Sequence, residues 1–466
     1  MDGVADGIVI PRRVESLPRG KMLIYALGQF GWSLGSYGAS NLISYFYMPP
    51  DGGGALFPPF LFRGPVLGVL TIIGLLAALG RVFDAVSDPI VAGLSDRSRS
   101  RFGKRRLFMA IGGLPFALAG LWIFTPPVSG NHPMNVASLA IGLFVFYLGM
   151  TIYVVPFTAM ISEIGHTRSE RLTLSTLVSV AWTLGYAVGS QIYLLQSALE
   201  SRYGPTTAFQ VAIGAFAVIS AVCMYLPVFA IDEKRYARPT ESHESPFRAL
   251  ASALRNRDFL TFSLADLMYW MALTITQLGV SYFVVVLLRL EKQFASILLN
   301  ALFVGSFVCY IPVNRAARRF GKKRVMIISF VLLGLMFVAF FALGRVSAPA
   351  FVQAAVIVIL AAFPIATFGI LPTAILADVS TADGHTSGSH KAGVFFGTRN
   401  FVRKLGISLA NLIFPSLLLL GSTVDNPAGV RLAAVLAAVL CGVGFIAFLF
   451  YDERRIEDVL AREEGG

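Results

Sequence analysis

Arg101-Phe102-Gly103-Lys104-Arg105-Arg106 and Arg319-Phe320-Gly321-Lys322-Lys323-Arg324 are one basic hexamer written twice, identical at five of six positions and 218 residues apart. A basic loop alone marks only orientation; the same hexamer at the equivalent place in each half of a chain marks a duplication. On both sides of each copy the sequence is apolar. Of 466 residues, 56% are hydrophobic and only 14% charged, with a mean hydropathy of +0.72. A soluble domain carries about 25% charged residues. A spanning helix takes about 20 residues, so the apolar supply suits roughly twelve. This excludes a soluble enzyme, a disulfide scaffold and a disordered chain, and it disfavours a barrel of short alternating strands. Cys223, Cys309 and Cys441 each lie inside an apolar run and read as small core residues.

The apolar runs fall at about 22–47, 66–94, 107–124, 136–161, 174–195 and 209–231, then at 259–288, 295–314, 325–343, 351–377, 393–420 and 430–451. They predict a tail at 1–21, a six-helix bundle at 22–231, a charged linker at 232–258, a second six-helix bundle at 259–451 and a tail at 452–466. With both ends in the cytoplasm, inner segments hold 28 of the 38 Lys and Arg, and outer loops hold 6. Basic residues favour the cytoplasmic side of short loops. Both termini are therefore expected there, in a multi-pass protein of the cell's inner (plasma) membrane. The net charge of +12 is then loop charge and no footprint for nucleic acid. The stretch before Lys21 is polar, holds Pro11, Arg12 and Arg13, and reads as a cytoplasmic tail without a cleavable signal.

A second echo joins the fourth and tenth runs. Thr158-Ala159-Met160-Ile161-Ser162-Glu163 parallels Thr373-Ala374-Ile375-Leu376-Ala377-Asp378, 215 residues on, and each copy follows a proline, Pro156 or Pro372. The expected fold is an all-α membrane protein: twelve transmembrane helices in two pseudo-symmetric six-helix bundles. That is the major-facilitator arrangement, in which solute binds between the halves near the bilayer midplane.

The second run contains Gly80-Arg81-Val82-Phe83-Asp84-Ala85-Val86-Ser87-Asp88-Pro89, followed by Gly93-Leu94-Ser95-Asp96-Arg97. This block resembles the second-helix signature of the glycoside–pentoside–hexuronide:cation symporters, the group of the melibiose carriers and the lysophospholipid symporters. Val155-Pro156-Phe157, Glu163, Glu170-Arg171, Ala377-Asp378 and Lys404-Leu405-Gly406 match further, in order, over most of the chain. The resemblance implies a cation-coupled symporter, with Lys404 as the lysine that lies opposite the second-helix acids.

Charges inside a membrane are costly and mark functional sites. Arg81, Asp84 and Asp88 are spaced i, i+3 and i+7, so they share roughly 60° of one helix face. Two nearby carboxylates repel unless a cation lies between them. Asp84 and Asp88 therefore suit a Na⁺ or H⁺ site, with Thr151 as a further oxygen ligand and Lys404 as the opposing charge. The competing reading is a structural salt bridge of Arg81 with one Asp. Arg399 and Arg403 flank Lys404 on the eleventh run, and Asp266 sits about 10 Å into the seventh. These four complete the charge network: Arg81, Asp266, Arg399 and Arg403. No metal and no cofactor is expected, only the coupling ion.

The substrate-pocket candidates are Gln29, Trp32, Ser33, Tyr37, Tyr153, Thr158 and Gln277, with Trp182, Trp270 and Arg399 beside them. They mix aromatic faces with a few hydrogen-bonding groups, as small-molecule sites do. The family's sugar-recognising members offer acids, an aromatic and an arginine where this chain has Ser33, Val154, Thr158 and Ser179. The leading expectation is a glycoside-type solute; the alternative is an amphipathic or lysolipid-like one. Asp96, Arg97, Arg101, Glu163, Arg171, Arg319 and Asp378 are expected to latch the cytoplasmic face when the protein opens outward. Partners are a small solute and the bilayer, and the chain is expected to act as a monomer. No loop motif for a metal, nucleophile or phosphate argues for an enzyme, and no Gly-x-x-x-x-Gly-Lys-Ser/Thr supplies an ATP-driven pump. The internal charges and duplicated halves favour alternating access over an open channel.

Overall fold

The computed structural model describes residues 15–51, 56–237, 254–387 and 392–464. Most of the expected N-terminal tail, the middle of the linker (238–253) and Gly52, Gly53 and Gly54 of the first outer loop lie outside the described residues. Helix α1 (Arg19–Asn41) breaks at Leu42 and resumes as the short α2 (Ile43–Tyr47). Then come α3 (Ile72–Arg97), α4 (Lys104–Trp122), α5 (Pro133–Ile164), α6 (Arg168–Gly189), α7 (Ile192–Tyr203), α8 (Pro205–Ala230) and α9 (Glu233–Tyr236). The second set is α10 (Arg257–Tyr282), α11 (Phe294–Phe320), α12 (Lys322–Ala342), α13 (Ala350–Ser387), α14 (Ala392–Leu418), α15 (Ala428–Leu449) and α16 (Glu453–Glu464).

Local chemistry sets the ends of these helices, and several ends differ from the apolar runs. The run at 66–94 predicts too early a start. Leu67 and Gly68 have φ of 52° and 86°, which turns the chain, and Thr71 then accepts from Gly74 N to cap α3. Helix α6 begins before its apolar run, because Thr167 and Glu170 form a capping box. The C-terminal tail is largely helical. Helix α16 packs on α13 and buries Ile456 at 5% exposure.

Nine helical segments among the described residues are long and apolar enough to cross a membrane. Helices α1, α3 and α4, with 23, 26 and 19 residues, match them in length but are more polar. Large apolar side chains face outward: Phe229, Val308 and Ile359 are 72%, 71% and 73% exposed. In water such a surface would aggregate; in hydrocarbon it is the stable one.

The packing repeats. Helix α1 lies on α6 and α8, α3 on α5, and α4 on α5 and α8. Correspondingly, α10 lies on α14 and α15, α11 on α13, and α12 on α13 and α15. Close approach in the first set needs small residues: a Cβ on Gly31 of α1 would fall 2.7 Å from Ser220 O of α8. The two sets meet where α3 packs on α14, where α6 and α7 pack on α11, and where α1 touches α10. We call the end bearing the hexamers the basic end. At the opposite end Tyr282 Oη donates to Ser44 O at 3.0 Å and also to Met48 O, Lys292 pairs with Glu200, and Ser296 Oγ donates to Ser190 O. Backbone bonds add to this closure, Asp51 N to Ser422 O at 3.5 Å and Val424 N to Asp51 O at 3.3 Å. Every bond just named joins the two sets away from the basic end.

Candidate functional site

The i, i+3, i+7 spacing on α3 brings Arg81, Asp84 and Asp88 to the face that meets α14. Lys404 of α14 reaches across, with Nζ 3.0 Å from Asp84 Oδ1 and 2.6 Å from Asp88 Oδ2. Thr151, on α5, stands 2.9 Å from Asp84 Oδ1 and 3.4 Å from Asp88 Oδ1 through its Oγ1. The Ser87 hydroxyl is 3.1 Å from that same oxygen. Asp84 is fully buried. Two carboxylates thus meet one ammonium, with the Thr151 hydroxyl against the carboxylates and the Ser87 hydroxyl against Thr151. Such a set of hard oxygen atoms is of the kind that suits a hard cation.

Arg81 pairs more loosely with Asp84, at 3.7 Å. Its Nη2 donates to Ser40 Oγ at 2.6 Å, and its guanidinium lies 5.1 Å from the Tyr147 ring centroid. Asp266 and Arg399 form a separate fork, Nε to Oδ2 at 2.8 Å and Nη2 to Oδ1 at 2.9 Å. Asp266 is 2% exposed, so it sits inside the fold and not at its surface. Arg403 stacks over Trp270, 4.7 Å from the ring centroid.

The pocket candidates scatter. Gln29 Nε2 donates to Ser33 Oγ at 2.9 Å, both buried. Tyr37 sits edge-on to Tyr186, which packs at a tilt against Trp182. Trp32 Nε1 is buried without a partner. Tyr153 is fully buried, and its hydroxyl donates to Met224 O at 2.8 Å, an engagement within the first set of helices. Thr158 and Ser179 are exposed and bond back to their own helices. Gln277 is partly buried on α10.

At the basic end the predicted latch residues pair inside each set of helices. Arg105 donates to Asp96 and, at 3.1 and 2.8 Å, to Glu163 Oε1, while Lys104 Nζ lies 3.1 Å from the same oxygen. In the second set Lys322 pairs with Asp378. Arg171 Nε donates to Gly165 O at 2.8 Å. Arg97, Arg101 and Arg319 are exposed, the last over its neighbour Phe320.

Sequence reasoning missed the acid that caps each hexamer. Glu233 accepts from the backbone N–H of Lys104, Arg105 and Arg106, at 3.0, 2.9 and 3.0 Å. Glu453 does the same for Lys322 and Lys323, at 2.6 and 3.0 Å. The hexamer glycines, Gly103 and Gly321, take φ of 109° and 86°, and a Cβ there would strike the capping carboxylate. The signal was present: Asp232-Glu233-Lys234-Arg235 and Asp452-Glu453-Arg454-Arg455 are a third echo, 220 residues apart. Free N–H groups and the dipole at a helix start both favour an acid there.

Two bundles meeting at a charged seam define a class of transport fold, and comparison with known proteins gives the family. Residues 24–452 match the model of the MFS/sugar transport protein family, and the chain belongs to it. It is a multi-pass membrane protein. It is 24% identical over 324 residues to the isoprimeverose transporter of Lactiplantibacillus pentosus, a match covering 68% of this chain and 63% of that one. It is 23% identical over 354 residues to the inner membrane symporter YicJ of Escherichia coli, covering 75% and 74%. Its fold matches the crystal structure of the nucleoside transporter NupG with a TM-score of 0.65 at 14% identity, over 93% of this chain and 100% of that one.

Proposed function

We propose that this protein is a secondary symporter that couples Na⁺ or H⁺ to a glycoside-type organic solute by alternating access. All twelve long helices would span the inner membrane of the cell as two six-helix bundles, with both termini cytoplasmic, in a monomer. The observation that carries the reading is Lys404 bridging Asp84 and Asp88 from the other set of helices. A cation entering among Asp84, Asp88 and Thr151, or a proton on one acid, takes over the neutralising role of the ammonium. Lys404 is then free to leave, and the α3–α14 seam loses an ion pair that holds the halves together. Binding the ion thus changes how the halves dock, which is the coupling a symporter needs. The solute site lies in the same cleft, where Trp182, Tyr186, Trp270 and Arg399 supply stacking faces and donors. With its contacts concentrated away from the basic end, this conformation corresponds to the inward-facing member of the cycle.

The test is gradient-driven uptake into vesicles. Asp84→Asn and Asp88→Asn should each abolish accumulation, because an amide cannot balance Lys404 or bind a cation comparably. Normal membrane insertion with lost accumulation is the expected result. Undiminished accumulation in both variants would overturn the assignment.

A further inference from the structure

The loop between α2 and α3 ends in an apolar turn that stays uncovered. Its base is pinned. Arg63 donates from Nε to Tyr47 O at 3.0 Å and from Nη2 to Phe57 O and Pro58 O, both at 3.3 Å. Asn135 Nδ2 donates to Phe60 O at 3.0 Å. Phe57 and Phe60 are buried against Phe46. Beyond Gly64 the chain leaves this base and doubles back. Val66 and Leu70 exchange both backbone bonds, at 2.6 and 3.0 Å, and Thr71 follows as the cap of α3. What projects is Leu67-Gly68-Val69. Leu67 is 79% exposed and Val69 70%.

The backbone makes this choice of residues costly. Leu67 has φ of 52° and Gly68 of 86°, a left-handed pair that tight turns normally fill with Asn or Asp before Gly. Leucine there strains the chain. A turn meant for water would gain twice from a polar residue, in strain and in solvation. Strain and exposed apolar area coincide at one side chain, and both make sense once that side chain leaves water.

The height of the turn agrees. Helix α3 has 26 residues, about 39 Å at about 1.5 Å per residue. A bilayer is about 40–45 Å thick with its headgroups. With Arg97 in one headgroup layer, Thr71 stands in the other, and the turn lies at that level. The apolar belt continues along α3, where Leu79, Val82 and Val86 are exposed.

We propose that Leu67 and Val69 form a membrane anchor, a turn that dips into the leaflet at the end opposite the hexamers. Its partner is the acyl chain region next to the headgroups. Lipid fits better than a soluble protein because the tip is continuous with the apolar belt, and residues 64–80 hold no charged side chain. The anchor holds the capped end of α3 at one depth, on the helix that carries Asp84 and Asp88.

Depth-dependent quenching in vesicles of phosphatidylethanolamine and phosphatidylglycerol tests this. The full chain carries Cys223→Ala, Cys309→Ala and Cys441→Ala, and a nitrobenzoxadiazole fluorophore sits on Leu67→Cys or Val69→Cys. Asn131→Cys, on the exposed loop between α4 and α5 at the same end, is the aqueous control. At position 67 the emission should be blue-shifted relative to the control. A nitroxide near the lipid headgroup should quench it severalfold more than one at the chain end, and aqueous iodide severalfold less than it quenches the control. Leu67→Asn suits the φ of the turn and keeps the fold; with the label on Val69→Cys it should cut nitroxide quenching severalfold. Iodide quenching at 67 and 69 equal to the control, with no nitroxide quenching, would overturn the anchor and leave the turn as an aqueous surface for a soluble partner. Nitroxide quenching unchanged by Leu67→Asn would overturn it too, because the helix and not the turn would then set the depth.

Discussion

The basic ends of the two halves began as the same sequence and no longer do the same work. In the first half, Arg105 ties Asp96, Ser95 and Glu163 together, and Lys104 adds a second cation to Glu163. In the second half the position equivalent to Asp96 is Asn314, and Lys323 stands where Arg105 would be. Lys323 Nζ turns instead to Leu449 O at 2.8 Å, which leaves the single Lys322–Asp378 pair. Burial follows the same split: the Glu163 side chain is 0% exposed, whereas those of Lys322 and Asp378 are 32% and 30% exposed. A duplicated motif thus preserves the turn and its cap more faithfully than the charges around it. Glu233 and Glu453 still cap both copies, because the free N–H groups of a helix start demand an acceptor in either half.

Removing the centre of the dense cluster should produce the largest difference. Arg105→Ala leaves buried Glu163 with Lys104 alone, a loss of about 3–5 kcal/mol. Lys322→Ala breaks a pair whose side chains are 32% and 30% exposed and should cost at most about 1 kcal/mol. Thermal unfolding of both variants in detergent checks this, and equal shifts in Tm would erase the distinction. The caps come next. Glu233→Ala and Glu453→Ala should each cost about 1–2 kcal/mol, with Glu233 the larger because it accepts three N–H groups against two. The reverse order in the same unfolding measurement would contradict that count. The smallest effect should come from rebuilding the first cluster in the second half. Asn314→Asp with Lys323→Arg should stabilise by under about 1 kcal/mol, and a fall in Tm would mean that the second half has repacked around its own pair.

Much of this was legible before any coordinates. Among the described residues the apolar runs correspond to the long helices, since hydrocarbon-facing segments admit little else. Asp84, Asp88, Thr151 and Lys404 converge as expected, because helix periodicity fixes the acids on one face and buried ions must find each other. Asp266, read only as an acid about 10 Å into its run, is 2% exposed and forks with Arg399, a partner that its position along the run does not specify. Solute-site residues were harder. Tyr153 and Trp270 are both aromatic on apolar helices, yet one is locked to Met224 O and the other has a free N–H. That difference depends on which neighbour is adjacent in space, which periodicity does not encode. The capping glutamates were missed for another reason: they lie in short polar stretches after α8 and α15, where an acid reads as surface charge.

The closure remote from the basic end has a consequence for turnover. Tyr282 inserts its hydroxyl among the carbonyls of Ser44 and Met48, and the Asp51 backbone clips onto the loop after α14. The tyrosine bonds are buried, so opening that face must break them before solvent can replace them. In the proposed cycle, the barrier to reorientation sits at this lid of tyrosine and backbone, away from the Asp84–Asp88–Lys404 cluster. Tyr282→Phe would leave affinity for both ligands alone and change how often the cycle completes.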